Sequence, residues 1–286
     1  HCWVRQSDPE KQLSMSRATE SGTSMALISK TGAALEALTI DGVELIDPNA
    51  AHNPGQIFFG SILAPWPNRL DGGRYQLGGK EFVAGKLDTS NNANHGLVYD
   101  REFEVVHASE TEVVLSYQFG ADPGYPFSTH LVVTYELIAG GLKVGATATN
   151  RGEIAAPFAI GFHPYFLAPE PFELVGAFTH VIHTDARMLP IAKAPVDGLS
   201  YTGGEIDTCY LGASEVSFKT AKFELTIELE KNLDHFMFYR PGPDQGGSMI
   251  AIEPMSAPAN AFQNEISEHL LEPGEAKEFS YAIRMR

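Results

Sequence analysis

Cysteine is nearly missing from this chain of 286 residues, in which only Cys2 and Cys209 occur. A single pair cannot supply the disulfide framework of a small secreted scaffold, and such sparing use fits a reducing, cytoplasmic setting. Long apolar runs are missing as well. No stretch approaches the ~18 residues that span a bilayer, so no membrane segment is expected. Basic residues are few: 20 Lys and Arg stand against 36 Asp and Glu, a formal net charge of -16. A surface of that sign repels nucleic acid and anionic lipid, which removes both as expected partners. It also weighs against a strongly anionic substrate unless a local basic pocket overrides the global field.

The familiar cofactor signatures are absent too. There is no Gly-rich dinucleotide fingerprint, phosphate-loop lysine, zincin helix or Gly-x-Ser-x-Gly nucleophile elbow. The ten histidines are scattered. His180 and His183 stand three apart, which on a strand sends them to opposite faces and makes them poor joint metal ligands. Neither a metal nor a cofactor is expected. No segment longer than about three turns carries a sustained helical apolar stripe.

What the sequence does carry is short alternating runs broken by turn residues. Runs at 34–40 and 43–46 flank Asp41-Gly42, and runs at 75–77 and 81–83 flank Gly78-Gly79. Both dipeptides suit a type I′ hairpin, whose two central residues need positive φ. Further strands are expected at 103–107, 113–119, 130–137, 142–149, 158–163, 216–218, 223–229, 236–239, 249–253 and 278–283. The stretch 168–211 is rich in Pro and Gly with weak periodicity and reads as long loops. The fold class is therefore all-β, a large antiparallel β-sandwich rather than a closed barrel. Residues 1–24 read as a flexible polar tail or an over-extended start, with Met15 and Met25 as alternative starts. Residues 25–286 read as one sandwich domain.

Two segments pair an apolar strand with one ionisable residue and a proline: Gly161-Phe162-His163-Pro164-Tyr165-Phe166 and Ala251-Ile252-Glu253-Pro254-Met255. Proline holds its predecessor extended and cannot donate a ladder hydrogen bond, so His163 and Glu253 should stand in defined directions where their strands stop. Strand ends on a rigid sheet are good places for catalytic groups, but ordinary strand termini look the same. A third segment, Pro65-Trp66-Pro67-Asn68-Arg69, combines stiffening prolines with an indole face that could pack on a pyranose and a guanidinium fork for hydroxyls. Taken alone, the segment reads better as a structural Pro-rich turn with a core Trp66 and a surface Arg69. In Asn94-His95-Gly96-Leu97, Gly96 could admit a ligand close to the backbone or merely supply a turn φ. Asp207 lies in the acidic stretch Glu205-Ile206-Asp207, where most carboxylates are simply solvated.

Together these segments resemble the aldose 1-epimerases (galactose mutarotases), in the expected order and from Leu38 to the C-terminus. Pro-Trp-Pro-Asn-Arg at 65–69, Asn-His-Gly-Leu at 94–97, Gly-Phe-His-Pro-Tyr-Phe at 161–166 and Ile-Glu-Pro-Met at 252–255 carry the likeness, with Ala-Pro-Ala-Asn-Ala-Phe at 257–262 behind them. Asp207 is the weakest match. The resemblance implies a sandwich of the galactose mutarotase-like supersandwich type with an open sugar cleft and no cofactor. It implies Glu253 as the base on the anomeric hydroxyl and His163 as the acid on the ring oxygen. His95 would bond near that oxygen and could share the acid role. Arg69, Asp207, Trp66, Asn68 and Tyr165 would hold the sugar. The chain would be a monomer or homodimer acting on a free hexose, opening and reclosing its ring. Nearby carboxylates would raise the charged share of the histidine.

Three other readings stay open on sequence. A hexose-6-phosphate or other anionic-sugar 1-epimerase would gather basic residues at its cleft, where only Arg69 and Arg74 lie near a motif. A glycosidase would use Glu253 with Asp207 as its carboxylate pair. A non-catalytic carbohydrate-binding domain of the same fold would need no matched acid and base.

Overall fold

Asp41 and Gly42 adopt φ of 49° and 80°, and Gly78 and Gly79 adopt 58° and 76°, as the two hairpin turns require. These values come from a computed structural model, which describes residues 9–52, 56–242 and 248–286. Cys2, read with the tail, lies outside the described residues. No helix among them is long and apolar enough to cross a membrane.

The fold is all-β, built on large antiparallel sheets. Nine strands form the first, in the order 104–108, 112–118, 129–138, 141–150, 276–285, 224–231, 215–220, 172–176 and 199–201. The second runs 190–195, 180–184, 206–211, 235–240, 249–255, 161–162 and 62–63, with Tyr165–Leu167 also paired to Met249–Met255. One apolar core lies between them, joining Val133, Tyr281 and Ile283 of the first sheet to Phe236, Phe238, Ile250 and Ile252 of the second. A four-stranded sheet, Gln12–Thr19, Gly22–Ser29, Ala34–Ile40 and Val43–Ile46, adds Met15, Ile28, Leu38 and Ile40 to that core.

Period-2 alternation in the second sheet positions everything that follows. Phe236, Phe238, Ile250 and Ile252 belong to the core, so Met237 and Glu253, one step along each strand, stand on the other face. Register then lines these residues up across strands: Met237 opposes Glu253, Cys209 opposes Met237, and Ile182 opposes Cys209. On this cleft face Ile182, Cys209, Met237 and Met255 form a small apolar cluster separate from the main core.

Three expectations need correction. The tail of residues 1–24 is folded from Gln12 onward, because Gln12–Thr19 pairs along its whole length with Gly22–Ser29. Met15 is its one fully buried side chain, flanked by Ser14 and Ser16, which left little apolar contrast to read. The loops expected at 168–211 contain five strands, Phe172–Gly176, His180–Thr184, Pro190–Pro195, Leu199–Tyr201 and Ile206–Leu211. Pro190 and Pro195 belong to the edge strand, where a missing ladder donor is tolerated. The strand carrying Glu253 does not stop there but continues through Pro254 to Met255, with Pro254 opposite Phe236.

Candidate active site

Two loop segments cover the cleft face of the second sheet beside Glu253. Asn68 and His95 both take left-handed backbone, φ 59° and 63°, and lock to each other. The Asn68 N–H donates to His95 Nδ1 at 3.0 Å, and the His95 N–H donates to the Asn68 carbonyl at 2.9 Å. Because Nδ1 accepts, a neutral His95 carries its proton on Nε2. Asn68 Oδ1 accepts from the Arg69 N–H at 2.9 Å and from Arg69 Nη1 at 3.2 Å, which aims the guanidinium. Gly96 resolves in favour of the turn: its φ is 71°, and a Cβ there would stand 2.2 Å from the Ala64 carbonyl oxygen. The close approach is to backbone, not to a ligand.

His163 sits between the short strands Gly161–Phe162 and Tyr165–Leu167, its N–H bonded to the Ser61 carbonyl at 3.1 Å. Its ring stacks on Tyr165 with centroids 4.9 Å apart and meets the His95 ring edge-on at 5.1 Å. Nε2 lies 3.4 Å from Glu253 Oε1. Both residues are buried, and neither His163 Nδ1 nor Glu253 Oε1 has a hydrogen-bond partner. Buried polar atoms are nearly always partnered, so a facing pair with free valences marks a place for a ligand.

Burial dominates the electrostatics. It pushes the His163 imidazole down from 6.5 to about 3 and His95 well below its ordinary value, with the neighbouring His163 and Arg69 adding to the effect on His95. Glu253 is raised well above 4.5 by burial and by Asp207, with Arg69 opposing. The expectation that carboxylates would raise the histidine is thus corrected: loss of hydration on burial lowers it. Burial thus disfavours charge on both partners, raising the Glu253 carboxyl and lowering the His163 imidazole.

Asp207, on Ile206–Leu211, faces Arg69 with Oδ2 3.9 Å from Nη2. Its carboxyl is raised by burial and lowered by Arg69. Asn68, Arg69 and Asp207 line a pocket of about 270 Å³, open mouth included, together with Met237, Cys209 and Met188. Trp66 is not part of it. The indole is 2% exposed, donates to the Ala93 carbonyl at 3.2 Å and packs edge-on against Phe262, so the core reading holds for it. Tyr165 is 5% exposed, sandwiched between Phe59 and His163, and acts on the site by holding the imidazole plane.

Phe58, Met237 and Tyr239 escaped the sequence reading. Phe58 packs edge-on against His95 and Tyr99 and parallel to His163. Met237 and Tyr239 alternate with Phe236 and Phe238, so the strand is apolar on both faces and period 2 shows no contrast. His95, His163 and Glu253 each place a possible ligand atom within 4.8 Å of the others. With Nδ1 occupied, however, the Nε2 of neutral His95 bears hydrogen and is a donor rather than a metal ligand.

The model of the aldose 1-epimerase family matches residues 16–284. The chain belongs to the aldose 1-epimerase family. It is 30% identical over 274 residues to the uncharacterized protein YihR of Escherichia coli (strain K12), covering 90% of this chain and 89% of that one. A galactose 1-epimerase from Lactobacillus acidophilus NCFM superposes with a TM-score of 0.78 at 17% identity, over 100% of this chain and 98% of its own. A galactose mutarotase-like protein from Lactobacillus casei ATCC 334 gives 0.76 at 20% identity, over 96% and 100%. At such identities the two structures speak for the fold alone. Within that fold, His95, His163 and Glu253 converge from three distant segments of this aldose 1-epimerase family member, and Arg69 meets Asp207 beside them.

Proposed function

We propose that the chain is an isomerase that interconverts the α and β anomers of a free hexose, with Glu253 as base and His163 as acid. The observation that carries this is the 3.4 Å approach of His163 Nε2 to Glu253 Oε1 in a buried site with unpartnered atoms on both. Mutarotation needs one proton removed and one delivered, and no nucleophile or redox group.

The proton inventory balances. A neutral pair, protonated carboxyl beside uncharged imidazole, is a tautomer of the ionised carboxylate facing a charged imidazolium. From that second form Glu253 takes the proton of the anomeric hydroxyl while the bond from C1 to the ring oxygen breaks. His163 delivers its proton to that oxygen. The open aldehyde turns about its bond to C2 and recloses on the other face with the roles exchanged. Ring opening therefore ends on the neutral pair that burial favours, and reclosure starts from it. His95 Nε2–H is a neutral donor for the ring oxygen, while Arg69 and Asp207 are fitted to hold hydroxyls. Among the residues lining the pocket Arg69 is the one cation, and it faces Asp207, which favours a neutral sugar over a phosphorylated one.

Positioned acids and bases each contribute about 10²–10⁴-fold. Glu253→Gln is expected to lose at least about 10²-fold in anomer exchange by polarimetry while still binding sugar. Wild-type rates in that variant would remove Glu253 as the base. A binding domain would instead bind hexose and leave the exchange rate unchanged from the start.

A further inference from the structure

The cleft has a far end, and a segment that the chemistry does not use closes it. Glu253, Met237 and Cys209 are laddered neighbours, and Asp207 lies two residues along the strand from Cys209. Glu253 and Asp207 are thus two strand spacings apart across the sheet and two residues along it, about 12 Å at ~4.8 Å per strand and ~3.4 Å per residue. One pyranose ring with a hydrogen bond at either end fills such a gap. With its anomeric carbon at Glu253 and His163, the ring carbon opposite, C4, points towards Asp207 and the strand beyond it, His180–Thr184.

There Thr184, Met188 and Pro190 line the same pocket as Asn68, Arg69 and Asp207. They belong to the hairpin of His180–Thr184 with Pro190–Pro195, at the edge of the sheet. Its turn is rigid. The Arg187 and Leu189 N–H groups donate to Asp185 Oδ1 at 2.8 and 3.0 Å, and the Met188 N–H donates to the Asp185 carbonyl at 3.0 Å. Arg187 then straps the turn to the opposite wall. Its Nη2 donates to Asp71 Oδ1 at 2.6 Å and Asn92 Oδ1 at 3.1 Å, and its Nε to the Ser90 carbonyl at 3.0 Å. Asn92 Nδ2 returns a bond to the Arg187 carbonyl at 2.9 Å. Asp71 stands two residues from Arg69 on the short strand Arg69–Asp71, so the strap is anchored beside the sugar-holding guanidinium.

Met188 itself adopts φ 63°. A non-glycine residue in that region costs on the order of 1–3 kcal/mol and persists only where its surroundings fix it. Here the fixing contacts are the turn bonds, the Arg187 strap and a Thr184 Oγ1 contact to Met188 Sδ at 3.8 Å.

We propose that the strapped turn 185–189 is an end-stop that restricts the site to single sugars, with Met188 as the residue facing a substituent on C4. The inference rests on the mutarotase reading for the direction of the ring.

The test compares glucose with maltose, and galactose with its 4-O-galactosyl disaccharide, by saturation-transfer NMR of anomer exchange. Each pair shares the same reducing unit. The free hexose is expected to exceed its disaccharide by at least about 100-fold in kcat/KM, the signature of a steric clash built against the larger ligand. Met188→Gly removes the side chain and suits the left-handed backbone, so the fold should survive. It should narrow that ratio by about 10-fold or more. Equal rates within a pair for the wild type, or an unchanged ratio in folded Met188→Gly, would overturn the end-stop. Calorimetric binding of the same pairs separates the two readings. Absence of exchange on every free hexose would overturn the catalytic reading alone, and binding would still decide the end-stop: preference for the single sugar supports it, while equal binding, or none, overturns it.

Discussion

Replacing His163 by Gln should flatten the acid limb of the stability profile by about 2 kcal/mol between pH 7 and pH 5. Burial holds the native imidazole neutral down to about 3, whereas its ordinary value is 6.5. Below pH 6.5 the unfolded chain therefore takes up a proton that the native chain refuses, and stability falls as pH drops. At 1.36 kcal/mol per pH unit, this loss is roughly 0.2 kcal/mol at pH 7 and about 2 kcal/mol at pH 5. It grows until the pH nears 3, where the native imidazole also charges. Glu253 works in the other direction. Its raised native carboxyl keeps a proton that the unfolded chain has shed, so its contribution is present at low pH and lost as pH rises through the native value. The two trends overlap in the wild type, and the readout is the difference between wild type and His163→Gln. Urea unfolding at pH 7, 6 and 5, followed by fluorescence of the buried Trp66, measures it. Parallel loss of stability in the two proteins would show that the imidazole is not held neutral by burial.

Two further outcomes follow from the framework around the site. Gly96→Ala puts a Cβ 2.2 Å from the Ala64 carbonyl oxygen at φ 71° and should cost more than about 2 kcal/mol, measured by urea unfolding. It should also lower anomer exchange, because His95 precedes it in the same turn; a variant with wild-type stability would contradict the tight approach. Removal of residues 1–24 deletes Met15 from the core, with the whole strand Gln12–Thr19 and the first three residues of its partner Gly22–Ser29. That should destabilise by at least the ~2–5 kcal/mol of a large core truncation, and an unchanged melting temperature would restore the tail.

Much of the scaffold was legible because its signals are local. Asp41-Gly42 and Gly78-Gly79 announce their turns, and runs such as 34–40 and 43–46 match the observed strands. His163, Glu253 and His95 stood out because proline or glycine follows each of them. What could not be read is set by contacts distant in the chain. Gln12–Thr19 is polar apart from a few residues and is a strand only because a neighbour supplies its ladder. The strands within 168–211 are three to six residues long, too short for periodicity to declare itself. Trp66 reads as a core residue from its segment alone and as a sugar contact from the family resemblance, and the Ala93 carbonyl and Phe262 decide for the core. Arg187 carries no motif at all; its meaning comes from Asp71 and Asn92, about a hundred residues away. The sinking of the His163 titration likewise depends on which segments shut out water, and composition says nothing of that.

The alternation along Met249–Met255 and His235–Arg240 divides the chain's mutable positions into two independent sets. Ile250, Ile252, Phe236 and Phe238 can change only by repacking the interior. Met237, Cys209 and Ile182, in the separate cluster on the opposite side, can change without opening a void there. A lineage built on this sheet can therefore drift towards new sugars through one set while the other keeps the protein folded.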